Sequence, residues 1–168
     1  MFKLFKVIFL SGFLMLMVSC SSMNGWVGNK LGLDTDLTLY LDVKPYINPD
    51  DKKNPSPLFI RMYELKGSKK FDRADFIDLY ERDKEVLGTD FIAKQELKRL
   101  IPGESRKEYF VLNKETKYIA LFGEFSKYKG SAYKVVTPIV SNNVFASYVS
   151  VQVNGNNLEI VDIQSSNK

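Results

Sequence analysis

The stretch Asp36-Leu37-Thr38-Leu39-Tyr40-Leu41-Asp42-Val43 alternates without a break, Leu37, Leu39, Leu41 and Val43 falling on one side and Asp36, Thr38, Tyr40 and Asp42 on the other. A period of two is the signature of a half-buried β-strand, because successive side chains of an extended backbone point to opposite faces. Pro57 to Leu65 alternates again, with Leu58, Ile60 and Met62 opposed to Phe59, Arg61 and Tyr63, so both of its faces are expected to be partly covered. Further strands are expected at Asp90–Leu100, Arg106–Leu112, Tyr118–Phe125, Tyr133–Val140, Ala146–Val153 and Leu158–Ile163. The last two flank Asn154-Gly155, a pair that tolerates positive φ and predicts a tight hairpin. Pro102-Gly103 likewise predicts a reversal joining the strands on either side of it. Between Gly67 and Gly88 the period changes, Phe76, Ile77, Tyr80 and Leu87 being spaced as on a helix face, with Asp72 placed to cap the first turn. Seven to eight short strands with one short inserted helix make a mainly β chain, and the expected fold is a β-sandwich over residues 36–163.

Upstream of that domain the first nineteen residues form an address. Lys3 and Lys6 make a positive n-region, Val7 to Val18 is uncharged, and Ser19 precedes Cys20. That run is too short for the roughly 20 apolar residues a membrane-spanning helix needs, and it has the layout of a signal peptide. Met17-Val18-Ser19-Cys20 resembles the bacterial lipobox, in which the Cys is acylated and becomes the first residue of the mature chain. Residues 20–35 are then the lipidated Cys and a Ser-, Gly- and Asn-containing tether, and residues 164–168 a polar tail. Ser21 rather than Asp follows the Cys, which under the lipoprotein sorting rule favours the periplasmic face of the outer membrane.

Composition narrows the chemistry. The chain has 168 residues, one Cys and no His, so no imidazole-based nucleophile or His-ligated metal site can be built, and one Cys cannot form a Cys-based zinc site. No cofactor or metal is expected. The formal charge of +4 falls to +2 once the leader carrying Lys3 and Lys6 is removed, and charges of both signs are interspersed, so no nucleic acid is expected as a partner. With its only Cys acylated, the domain has to fold without a disulfide, which a span of this size can do on its core alone.

The most unusual segment is Lys44-Pro45-Tyr46-Ile47-Asn48-Pro49-Asp50-Asp51-Lys52-Lys53-Asn54-Pro55-Ser56, which together with Pro57 holds four of the six prolines. It is longer than a hairpin loop, and proline reduces the freedom lost on binding, so Tyr46 and Ile47 stand as a candidate anchor for a partner protein. The competing reading is a sandwich crossover whose prolines guard an edge. Asp50-Asp51 and Asp34-Thr35-Asp36 lack the ligand spacing of a calcium loop and read as solvated turn residues. Ser68-Lys69 and Ser126-Lys127 have no catalytic context. Lys127 to Lys134 mixes basic and aromatic side chains at a hairpin tip. It offers a second reading, an envelope module for peptidoglycan or another polysaccharide, against that of an ordinary exposed turn.

Taken in order, the lipobox, Asn48-Pro49-Asp50, Pro55-Ser56-Pro57-Leu58, Ile60-Arg61-Met62-Tyr63-Glu64-Leu65, Phe71 through Tyr80, Leu87-Gly88 and Pro102-Gly103-Glu104-Ser105 resemble the type VI secretion system lipoprotein family TssJ, also called SciN. The resemblance implies a transthyretin-like β-sandwich with an added helix, tethered to the inner leaflet of the outer membrane. It implies a non-enzymatic role, capture of the periplasmic region of the inner-membrane anchor TssM to assemble a trans-envelope complex. In the family the loop between the first two strands makes that contact, and the matching positions here are Lys44 to Ser56. Where members commonly carry a Trp-Arg pair, this chain has Phe122-Gly123-Glu124-Phe125 and Tyr133-Lys134.

Overall fold

The computed structural model describes residues 35–140 and 147–165. The leader, Cys20 and the tether lie outside them, as does the tail beyond residue 165. The strands are β1 (Thr35–Ile47), β2 (Ile60–Leu65), β3 (Phe91–Glu96), β4 (Ser105–Leu112), β5 (Tyr118–Gly123), β6 (Lys134–Pro138), β7 (Ser147–Gly155) and β8 (Asn157–Ser165). Two helices, α1 (Lys69–Arg73) and α2 (Phe76–Leu87), with a 3-10 turn at Gly88–Asp90, fill the span between β2 and β3.

The strands form two four-stranded sheets, in the order β4-β1-β7-β8 and β3-β2-β5-β6. The alternation of β1 decides the packing between them. Leu37, Leu39, Leu41 and Val43 are buried and meet Ile60, Met62 and Leu121 of the second sheet and Val149, Val151 and Val153 of their own. Burying one such aliphatic side chain stabilises by about 1.5–3 kcal/mol, so the inward row of β1 is a major support of the sandwich. β2 is covered on both faces, as its two-sided pattern predicts. Ile60 and Met62 face the other sheet, while Tyr63 and Leu65 face outward onto a second cluster built with Phe71, Phe76, Leu79 and Leu87 of the helices.

The structure differs from the sequence expectations in several places, each with a physical reason. Two helices stand where one was expected, because the backbone at Ala74 is extended (φ −63°, ψ 139°) and stops α1 before α2 begins. The cap of α2 is Asp75, whose carboxylate accepts from the Asp78 N–H at 2.8 Å, and not Asp72, which lies within α1. Asn154 pairs with Asn157, so the two-residue hairpin turn is Gly155-Asn156, one residue later than expected, with Gly155 at φ 57°. A glycine with positive φ at the first central position is the arrangement of a II′ turn, whose twist suits a hairpin. Pro102-Gly103 does turn the chain, Glu104 N–H donating to Ile101 C=O at 3.2 Å with Gly103 at φ 84°. The strands it joins, however, belong to different sheets, so it is a crossover and not a hairpin. Lastly, β8 continues through Ser165, into residues expected to be tail.

The helices are locked to the second sheet by Arg61. Its Nε lies 2.6 Å from Glu124 Oε1, and its Nη1 donates to the carbonyls of Leu79 (3.1 Å) and Tyr80 (3.0 Å). Those carbonyls are exposed by a break in α2 at Arg82 (φ −140°, ψ 38°), where Lys84 N–H turns to the Asp83 carboxylate at 2.7 Å. Asp83 also accepts from Tyr63 Oη at 2.9 Å and from Lys94 Nζ at 2.8 Å, and it lies 3.6 Å from Arg61 Nη1. Burial alone would raise the carboxyl pKa of Asp83, but the donors from Lys94, Tyr63 and the Lys84 amide outweigh it and hold the carboxyl below its ordinary value. Burial, reinforced by the Asp83 charge, pushes the Tyr63 phenol up.

A carboxyl whose pKa is depressed on folding stabilises the fold above its unfolded value, and that contribution is lost as pH falls through the folded value. Stability is therefore expected to hold down to about pH 4, the ordinary carboxylate range, and to fall below it. Asp83→Asn should lower stability at neutral pH and flatten the acid limb, as read by urea titrations across pH. An unchanged acid limb would show that the ion cluster does not set the acid response.

Candidate functional site

The segment singled out by its prolines divides into two parts of different character. β1 runs on through Lys44, Pro45, Tyr46 and Ile47, with an irregularity opposite β7 between Val43 and Ile47 where two extra residues are accommodated. Lys44 pairs with Asp42 at 2.8 Å. Ile47 is 0% exposed and belongs to the sandwich core, so it is not available as the surface anchor expected of it; Tyr46 is half exposed. The inward alternation of β1 resumes after the irregularity, which places Ile47 inside.

The remaining residues form a stiff closed loop. Asn48 is its buried anchor, in a left-handed conformation (φ 44°) that Asn tolerates better than most residues. Its amide bridges two segments, Nδ2 donating to Pro57 C=O and Oδ1 accepting from Ser126 N–H, both at 2.9 Å. Ser56 closes the neck, its N–H donating to Ile47 C=O at 3.1 Å and its hydroxyl to Asn48 C=O. Beyond the neck, Asp50 organises the tip, its Oδ1 accepting from the N–H groups of Lys52 and Asn54, both at 2.8 Å. These donors, the Asn54 amide first, lower the Asp50 carboxyl pKa. Asp50 is thus a turn organiser whose oxygens are filled by N–H groups. Lys53 completes the tight tip with φ 64°, while Asp51, Lys52, Asn54 and Pro55 are exposed and Pro49 is half-buried. Lys127 straps the tip from the β5–β6 connection, donating to Asp50 C=O at 3.0 Å and lying 3.4 Å from Asp51.

The alternation pattern alone did not point to the neighbours of this loop. Leu58 and Leu100 form an isolated antiparallel bridge, each donating to the other, at 3.0 and 2.9 Å. Both side chains are buried, so the flanking Phe59 and Ile101 turn outward and are half exposed. Gly103 N–H donates to Lys44 C=O at 3.2 Å, which holds the β3–β4 crossover against the end of β1. Tyr46, Phe59 and Ile101 therefore crown the same pole of the sandwich as the loop tip. The signal in the sequence was an apolar residue on the solvent side of a strand end, which composition cannot separate from core.

The basic and aromatic segment Lys127 to Lys134 is used structurally. Tyr128 stacks on Phe76 at 4.0 Å between ring centroids, and Tyr133 meets the same ring edge-on at 5.3 Å. Lys134 Nζ donates to the C-terminal carbonyls of α1, at Phe71 (2.9 Å), Asp72 (2.7 Å) and Ala74. Tyr128 and Tyr133 are half-buried against the start of α2 and line a shallow groove there with Asp75 and Ile77.

Two facing sheets with a helical cover on one of them, and a braced loop at one pole, define a small β-sandwich domain with a preformed protruding surface. The family described as "Type VI secretion lipoprotein, VasD, EvfM, TssJ, VC_A0113" matches residues 35–157, and the chain belongs to that family. In structure it is similar to the T6SS lipoprotein TssJ1 from Pseudomonas aeruginosa, with 24% identity, a TM-score of 0.69, and 79% of this chain and 98% of that chain covered. A chain of a "Type VI membrane complex" matches at 26% identity and TM-score 0.66, covering 77% of this chain and 99% of that one. A chain of the structure described as the T6SS protein TssM C-terminal domain (869-1107) from EAEC matches at 25% identity and TM-score 0.61, covering 74% and 99%. No curated protein matches the chain in sequence.

Proposed function

We propose that this protein is a non-enzymatic assembly lipoprotein of the type VI secretion system. It is anchored through acylated Cys20 to the periplasmic face of the outer membrane and binds the periplasmic region of the inner-membrane anchor TssM. The observation that carries the reading is the β1–β2 loop. Its Asp50 turn, Asn48 bridge and Lys127 strap hold a protruding segment in one shape before any partner arrives. Such preorganisation lowers the entropy lost on association. Membership of the family supports the lipoprotein part of the reading, and the similarity to a chain of a TssM-domain structure supports the partner.

The loop assignment narrows to Asn48–Ser56 with Tyr46 beside it, because replacing all of Lys44 to Ser56 would cut into β1 and remove Ile47 from the core. Exchanging only Pro49 to Asn54 for a Gly-Ser turn is expected to weaken binding to the purified periplasmic part of the anchor at least about tenfold, a loss of about 1.4 kcal/mol, with the unfolding midpoint little changed. Unaltered affinity in calorimetry would refute the loop assignment. Cys20→Ser is expected to leave the protein out of the outer-membrane fraction after sucrose-gradient separation. Recovery of that variant in the membrane fraction would overturn the anchor.

A further inference from the structure

The outer face of the second sheet is covered by the helices, whereas among the described residues no element covers the outward rows of the first sheet. They are unusually apolar near the Thr35 end. Val111 stands opposite Asp36, the next row is Tyr109, Thr38 and Tyr148, and the next is Lys107, Tyr40, Ser150 and Asp162. Tyr109 is 75% exposed, Val111 66% and Tyr148 41%. A shallow groove of about 330 Å³ lies among Tyr40, Lys107, Tyr148 and Asp162, and Lys107 Nζ sits 5.9 Å from the Tyr40 ring centroid. Beside this face the β4–β5 connection is closed by Glu64, which accepts from Asn113 N–H (2.8 Å) and Thr116 Oγ1 (2.7 Å), and it presents the exposed Lys114 and Lys117.

We propose that this pole of the first sheet rests on the phospholipid surface to which Cys20 is anchored. Val111, Tyr109 and Tyr148 enter the headgroup layer, and Lys107, Lys114 and Lys117 meet lipid phosphates. The inference rests on the lipoprotein reading given above. Three observations converge on a lipid occupant. The chain enters the domain at Thr35, fifteen residues after Cys20, so this pole is the first part of the domain that the tether meets along the chain. Its side chains are the amphipathic kind that favours a membrane–water interface, tyrosines with an apolar ring and a polar tip, flanked by lysines. The pole also lies opposite the braced loop, about 40 Å away along the thirteen residues of β1, so seating it on lipid directs the loop into the periplasm. Asp36 and Asp162 on this face each have an interaction of their own, and Glu115, between the two lysines of the connection, pairs with Lys66 at 2.6 Å.

Because Cys20 is the only cysteine and acylation consumes its thiol, a second cysteine can be labelled alone. The acylated full-length mature protein, carrying Val111→Cys, Tyr148→Cys or Tyr46→Cys with an environment-sensitive dye, is reconstituted into vesicles of phosphatidylethanolamine and phosphatidylglycerol that contain headgroup-spin-labelled lipid. Loss of emission at positions 111 and 148, with emission at 46 unchanged, is the expected result. Protein that floats with the vesicles but shows no quenching at 111 and 148 overturns the proposal and leaves the lipoprotein reading standing. Vesicles that float without the acylated protein overturn both. Dyes at 111 and 148 shielded from aqueous iodide but not quenched by lipid, and exposed again when residues 22–33 are deleted, would assign the face to the tether and overturn the proposal. Quenching between labels that rises with protein density on the vesicle would assign it to a second copy, with the same consequence.

Discussion

Arg61→Ala is expected to lower the stability of the domain by about 3–5 kcal/mol, the usual cost of removing one partner from a buried ion pair. The guanidinium is 13% exposed and serves four acceptors at once: Glu124, Asp83 and the carbonyls of Leu79 and Tyr80. Its removal leaves Glu124 without its bidentate-capable partner and strands two helix carbonyls at the Arg82 break. It also withdraws the cation from above the Tyr80 and Phe122 rings, at 5.1 and 5.6 Å. Lysine cannot replace it, since one ammonium on a flexible stem does not reproduce a planar fork that reaches a carboxylate on one side and two carbonyls on the other. Urea unfolding of Arg61→Ala and Arg61→Lys should show a large drop in midpoint for both. Combining Arg61→Ala with Glu124→Ala should cost less than the two single changes added, because the pair is lost only once. A midpoint near that of the parent would mean that the helices are held by the Tyr63–Phe71–Phe122 cluster alone.

Asn48→Ala is expected to cost about 2–4 kcal/mol, the sum of an orphaned buried donor, a lost acceptor contact and a left-handed backbone that alanine disfavours. The Ser126 N–H and the Pro57 carbonyl both lose their partner, and the φ of 44° is retained by the fold around it. Asn48→Gly separates these causes. It relieves the backbone strain and keeps the hydrogen-bond loss, so it should be more stable than Asn48→Ala by about 1 kcal/mol, near the left-handed penalty, while both bind the partner more weakly. Equal unfolding midpoints for the two variants would show that strain plays no part. Binding as tight as the parent would show that the loop does not depend on its anchor.

The different costs of these two residues explain why the site was only partly legible. The loop stood out through its prolines, a local property. Asn48 did not stand out as its keystone, because its partners are Pro57, nine residues away, and Ser126, seventy-eight residues away. Arg61 appeared in the sequence as one outward residue of an alternating strand, with nothing to show that a break in α2 would need its donors. Ile47 reads the same as Tyr46 in a proline-flanked run, and it is the alternation of β1, kept in phase across the two-residue irregularity opposite β7, that sends Ile47 inward and Tyr46 outward. Tyr128 and Tyr133 looked like an open aromatic tip because Phe76, which they pack against, lies some fifty residues upstream.

Local properties of the chain determined that it is mainly β, with strands close to their observed places and a hairpin near Gly155; they also carry the expectation of a leader ending at a lipobox cysteine, which lies outside the described residues. Alternation, turn chemistry and a charged-apolar-small order act over a few residues, and their physics is complete within that window. Tertiary structure alone decided that β1 lies between β4 and β7, that the Pro102-Gly103 turn crosses between sheets, and that the helices cover the second sheet and not the first. Those outcomes depend on which distant apolar faces meet and which freed backbone groups find donors, and pairings of that range leave no periodic trace in the chain.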